Sequence, residues 1–298
     1  MRRALILALA YLSWNAAFRL IVLSLITYFM ARSGSAFGEI SETTNTNLIL
    51  VCGVASLSFL VVLTQLNPIA TVSRSEIITG HLIEHRFYPA FLRGAFLACI
   101  FTFGGLLGGS YQYVGFFVQS DAPAFAVFGL LFRAASILFL VYVDEFVFRS
   151  RFIAHLRETS HPVRTIALCA LFYTLSKSLE FHLGWAHLAT LVLLGTALSV
   201  RSYFHRNFTE GAGLVAGFLI IAHCAFSLPI FGNESQGIVL IRYNFAVDVD
   251  APFIRFLTGG LGGPLSSVVI QVALLVDILR NVFREKNSLW PLRGAELR

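Results

Sequence analysis

The stretch APAFAVFGLLFRAASILFLVYVDEFVFR, Ala122 to Arg149, decides how this chain is read. It is apolar over the roughly 20 residues that a membrane-crossing helix needs, and it then runs into Asp144, Glu145 and Arg149. Two carboxylates and a guanidinium at the end of an apolar helix are expensive in lipid, so the cluster marks a candidate functional site. Glu145 and Arg149 are four apart with the acid on the N-terminal side, the favoured orientation for an ion pair on one helix face. Asp144 is rotated by about 100° from Glu145 around the same helix. It can therefore face a cavity while its neighbour is held by the arginine.

Working outward, the chain has 298 residues, of which 57% are hydrophobic and 13% charged, and its mean hydropathy is +0.76. These values describe a polytopic membrane protein. Apolar stretches of membrane-spanning size occur at Leu5 to Met30, Asn47 to Leu66, Ala90 to Gly109, Ala122 to Phe148, Val163 to Leu179, His187 to Val200 (short), Gly211 to Ile230 and Gly259 to Leu279. The expected fold is all-α: a polytopic membrane helix bundle of about eight transmembrane helices, forming one integral membrane domain over residues 1–298.

Arginines and lysines alternate between the connections in a way that checks this count. They crowd before the first span, between the second and third, fourth and fifth, and sixth and seventh, and after the eighth, while Ser33 to Thr46 and Ser110 to Asp121 hold only acids. By the positive-inside rule both termini are cytoplasmic. That bias also accounts for the net charge of +6, so no nucleic-acid partner is required. The first span opens with two arginines, but it is too long for a signal peptide and reads as a membrane anchor. Cys52, Cys99, Cys169 and Cys224 fall in spans without paired spacing and read as small packing residues. Gly104, Gly105, Gly108 and Gly109, and again Gly213 and Gly217, recur at helical spacing, which lets helix backbones approach closely in lipid. Gly259 to Pro264 suggests a flexible lead into the last span.

Two further spans carry polar residues at four-residue spacing. The fifth holds Phe172 and Ser176, followed by Lys177, and the seventh holds His223 and Ser227. In this order, DEFVFRSRF, ALFYTLSKS and IIAHCAFSL resemble the three motifs of the CPBP family, the CAAX-protease and bacteriocin-processing group of intramembrane endopeptidases. That family shows Glu-Glu-x-x-x-Arg, Phe-x-x-x-His and His-x-x-x-Asn on three core helices. The likeness covers about residues 122–230, which it marks as the catalytic core helices.

The resemblance implies a hydrolase acting on membrane-tethered or membrane-entering peptides from within the lipid bilayer, without cofactor or metal, in a bacterial inner membrane. Asp144 would activate water, Glu145 and Arg149 would form the supporting pair, and His223 with Ser227 would donate to the oxyanion. Two positions depart from the pattern. Asp144 stands for the first glutamate, and Ser176 for the second-motif histidine; a hydroxyl orients water but cannot act as its base near neutral pH. The alternatives are a catalytically degenerate relative that binds a peptide or partner without cutting it, and a proton-coupled transporter. A histidine or lysine within hydrogen-bond reach of Asp144 would favour the enzyme.

Depth sets a condition on the family reading. His223 lies about 18 Å from Gly211 along its helix, so Glu145 comes level with it only if the fourth helix runs on to about Arg157. Separately, His81, Glu84 and His85 spell H-x-x-E-H, a zinc-site pattern, but a segment of some twenty residues lacks the third ligand and soluble domain such enzymes need. It reads as an amphipathic helix at the membrane surface.

Overall fold

The computed structural model describes residues 2–33, 37–65, 86–116, 123–157, 160–181, 183–205, 207–230, 237–243, 257–259 and 263–285. His81, Glu84 and His85 lie outside the described residues. Among those described, the chain is built from helices: α1 (Arg2–Arg32), α2 (Phe37–Gln65), α3 (Phe87–Leu107), α4 (Pro123–Asp144), α5 (Ile153–Arg157), α6 (Pro162–Glu180), α7 (Trp185–His205), α8 (Thr209–Ile220) and α9 (Val268–Arg284). Among the described residues, three helices are long and apolar enough to cross a membrane: Arg2–Arg32, Phe87–Leu107 and Val127–Arg157. Asn47–Leu63 and Thr209–Ala225 are shorter apolar helices.

Val127–Arg157 is one continuous helix of 31 residues, about 46 Å long against a hydrocarbon core of about 30 Å. The chain therefore does pass helically through Arg149. Between α4 and α5, however, Glu145–Phe152 winds as a π-helix, a wider turn that is rare and concentrates at functional sites. A second π-turn, Ile221–Ala225, follows α8 and contains His223. Within the first π-segment, the Phe148 carbonyl accepts from the thiol of Cys169 at 3.0 Å.

The outward faces are apolar as well as the interior, where large side chains such as Ile137, Phe148 and Phe152 are buried together with small and polar ones. Leu20, Ile21 and Phe29 on α1, Phe96 and Phe103 on α3, and Phe128, Leu131 and Phe132 on α4 are all exposed. Contiguous apolar surface on this scale marks contact with a membrane or a partner. Inside, α3 turns Ala90, Gly94, Ala98 and Thr102 inward, one per turn, against α8. A Cβ on Gly94 would stand 2.0 Å from the carbonyl oxygen of Leu214, and one on Gly217 would stand 2.1 Å from that of Phe91. Gly213 and Gly217 thus serve internal packing. Gly104 does not, since a Cβ there meets nothing within 4 Å.

Three boundaries differ from expectation. The helix containing Asn47 begins at Phe37, because backbone hydrogen bonding continues past the apolar stretch. The last helix begins at Val268 rather than Gly259. Gly259 (φ 84°) and Gly263 (φ 82°) take left-handed conformations that a helix cannot hold. Ser266 Oγ donates to the Gly259 carbonyl at 2.6 Å, and Ser267 caps α9 by accepting from the Val269 N–H at 3.2 Å. Finally, two connections between spans pair as an antiparallel sheet, β1 (Tyr111–Phe116) with β2 (Val239–Tyr243), interrupted by a register shift between Tyr113 and Gly115. Backbone near the bilayer must satisfy its own hydrogen bonds, and pairing two loops on one side does so.

Candidate functional site

Asp144 ends α4 at a point where three helices converge. Its Oδ1 accepts from the Tyr11 hydroxyl at 2.8 Å, and its Oδ2 lies 2.5 Å from Lys177 Nζ. Lys177 also donates to Glu180 Oε2 at 2.6 Å. The other oxygen of Glu180 accepts from Ser176 Oγ at 3.0 Å and from Asn15 Nδ2 at 3.2 Å. Tyr11 in turn shares a hydrogen bond of 2.9 Å with Ser56. Helices α1, α2, α4 and α6 are thus tied by one buried network in which every member is less than a tenth exposed. Its formal charge, two carboxylates to one ammonium, is −1.

Glu145 points elsewhere, as its rotation from Asp144 requires. Its Oε1 lies 3.1 Å from Arg149 Nη1, with both side chains almost wholly buried. The pair is close without being well aligned, and none of the Arg149 nitrogens has a hydrogen-bond partner among the described residues. The guanidinium instead rests over the Tyr173 ring at 3.9 Å, a cation–π contact strengthened by the absence of water. Glu145 Oε2 also lacks a hydrogen bond among the described residues and faces Gly211, where an added Cβ would stand 3.0 Å away.

Gly211 places His223 as well. Glu145 abuts Gly211 at the start of α8, and His223 is twelve residues further along that helix, about 18 Å at 1.5 Å per residue. The helix that carries Glu145 does continue to Arg157, but this does not bring the groups level, because α8 begins deep beside Glu145 instead of at the far end of α5.

His223 and Ser227 occupy the other end of the bundle and organise its backbone. His223 Nδ1 meets the Leu228 carbonyl at 3.2 Å. Ser227, a left-handed residue with φ 57°, accepts from the Gly237 N–H at 2.7 Å and donates to the Val239 carbonyl at 2.9 Å. The hydroxyl assigned to an oxyanion is therefore committed to fastening β2 to the end of α8.

Of the six residues singled out from the sequence, Asp144 and Ser176 share one network, Glu145 and Arg149 form a second, and His223 with Ser227 stand apart. The residues that complete the first network, Tyr11, Asn15, Ser56 and Glu180, carried a usable signal only in the Lys177–Glu180 spacing of three. Comparison with protein-family models, curated proteins and solved structures yields no match. The likeness to the CPBP family rests on the motif residues alone.

Proposed function

We propose that this chain is a CPBP-like integral membrane protein whose acidic cluster fastens the helix bundle, and that it binds a membrane peptide or partner without hydrolysing it. The observation that carries this reading is the state of Asp144. Both its oxygens are engaged, by Tyr11 and Lys177, and the residue is 1% exposed. A water to be activated there must displace one of these partners, and the imidazole that the family uses is replaced by Ser176, whose hydroxyl is donated to Glu180. The positive-inside bias supports cytoplasmic termini, which puts Arg149, Arg157, Arg201 and the start of α8 towards the cytoplasmic side.

One observation favours a hydrolytic reading. Lys177 lies 2.5 Å from Asp144, within the reach at which a second basic group would assist water activation. That dyad still lacks an oxyanion partner, since His223 lies about 18 Å along α8 from Gly211. The two readings separate in a cleavage assay on membrane-embedded peptides with wild type and Asp144→Asn. Cleavage by wild type that is lost in Asp144→Asn would favour hydrolysis; no cleavage, with a peptide retained in pull-down by both proteins, supports binding.

A further inference from the structure

A cavity of about 570 Å³ lies beside the second charge pair, lined by Arg149, Ser150, Ile153, Ala154, Arg157, Ser202 and Phe208. Among the described residues, its polar lining consists of two guanidiniums and two hydroxyls, with no acid. The donors come from separate elements: the π-segment gives Arg149 and Ser150, α5 gives Arg157, and the end of α7 gives Ser202. Arg149 is the deepest of them. Its side chain is 0% exposed, and its Nε, Nη1 and Nη2 are without hydrogen-bond partners among the described residues. A buried guanidinium normally has its N–H groups satisfied, and Glu145 lies beside it without alignment. Arg157 is braced over the Tyr203 ring at 5.1 Å, which orients its charge without using its hydrogen bonds.

We infer that this cavity binds a phosphoryl anion. The two guanidiniums, donors only, require a ligand rich in acceptor oxygens, the Ser202 hydroxyl being already donated to the Asn207 carbonyl at 3.4 Å, and planar guanidinium forks match phosphate in a two-point fashion that ammonium groups do not. The charge balance agrees: Glu145 offsets one arginine, and the second remains for the ligand. Ile153, Ala154 and Phe208 add an apolar wall beside the donors, and Ala154 is exposed, so the cavity reaches the surface. On the basic side of a membrane, a phosphoryl group can arrive as an anionic lipid headgroup or as a soluble phosphate. This inference does not depend on whether Asp144 activates water.

The test uses the full-length protein in nanodiscs. One arm titrates inorganic phosphate into phosphatidylcholine discs, with chloride at equal ionic strength as control; the other compares discs with and without phosphatidylglycerol. Thermal stability and native mass spectrometry are read in both. Saturable stabilisation by phosphate identifies a soluble ligand, and stabilisation with retained lipid only in phosphatidylglycerol discs identifies a headgroup. Because Arg149 variants are exposed to misfolding, the decisive substitution is Arg157→Gln, at the half-buried arginine of the lining. Arg157→Gln is expected to weaken binding about tenfold, the scale of one charge-assisted hydrogen bond, with thermal stability of the unliganded protein preserved. Equal response to chloride, no response in either arm, or wild-type affinity in Arg157→Gln would overturn the assignment.

Discussion

Lys177→Met tests the larger charge network at its centre, because methionine keeps the length and apolar stem of lysine and removes only the ammonium. Nζ stands 2.5 Å from Asp144 and 2.6 Å from Glu180. At an effective dielectric of about 20, each contact is worth about 6.5 kcal/mol before desolvation is charged against it. Desolvating the ammonium offsets most of that sum, but its removal leaves two buried carboxylate oxygens at most about 5 Å apart, repelling by about 3 kcal/mol at the same dielectric. This agrees with the 3 to 5 kcal/mol, roughly, that follows from stranding one side of a buried ion pair. At about 2 to 4 °C per kcal/mol for a chain of this order of size, the detergent-solubilised protein should melt about 6 to 20 °C lower. Adding Glu180→Gln to Lys177→Met should recover part of the loss, since it removes the repulsion between the two carboxylates and returns the network from −2 to its original formal charge of −1. The assay is intrinsic-fluorescence melting of wild type, Lys177→Met, Glu180→Gln and the double variant. A Lys177→Met midpoint within about 2 °C of wild type, the scale of an ordinary surface substitution, would refute the network as a source of stability.

Other consequences follow from the same geometry. Arg149→Ala and Glu145→Ala should each reduce folded yield, by roughly 3 to 5 kcal/mol of stability, because each strands a buried charge; unchanged melting of both variants would contradict the pair. Gly217→Leu should separate α3 from α8, since even a Cβ there meets the Phe91 carbonyl at 2.1 Å; size-exclusion profiles and melting should both deteriorate, whereas Gly104→Ala, facing open space, should be silent. Ser227→Ala, which removes one hydrogen bond to Val239 of β2 and one to Gly237 just before it, should cost about 1 to 3 kcal/mol and speed hydrogen exchange at Val239–Tyr243; unaltered exchange there would show that the serine does not hold the strand.

Three helices of membrane-spanning length, of the eight expected spans, were legible among the described residues because apolarity sustained over 20 residues admits few other readings, and the Glu145–Arg149 pair because helical spacing is local. Lys177 and Glu180 were half-visible: their spacing of three marks a pair, but the partner that matters, Asp144, sits on another helix and answers to packing that no periodicity records. Tyr11 and Asn15 were hidden in a span whose overall apolarity masks two inward polar positions. His223 shows the opposite failure. Motif order along the chain says nothing of depth, and Gly211 beside Glu145 sets His223 twelve residues away from the acids. The β1–β2 pairing escaped notice because its strands are short and far apart in the chain, joined only through the fold.

The central claim is that Asp144 fastens helices and does not activate water. Its most direct test is cleavage of a membrane-embedded peptide library by wild type, Asp144→Asn and Ser176→His in proteoliposomes, read by mass spectrometry. No cleavage by any of the three is the expected result. Products formed by wild type and abolished in Asp144→Asn, with both proteins folded, would contradict it.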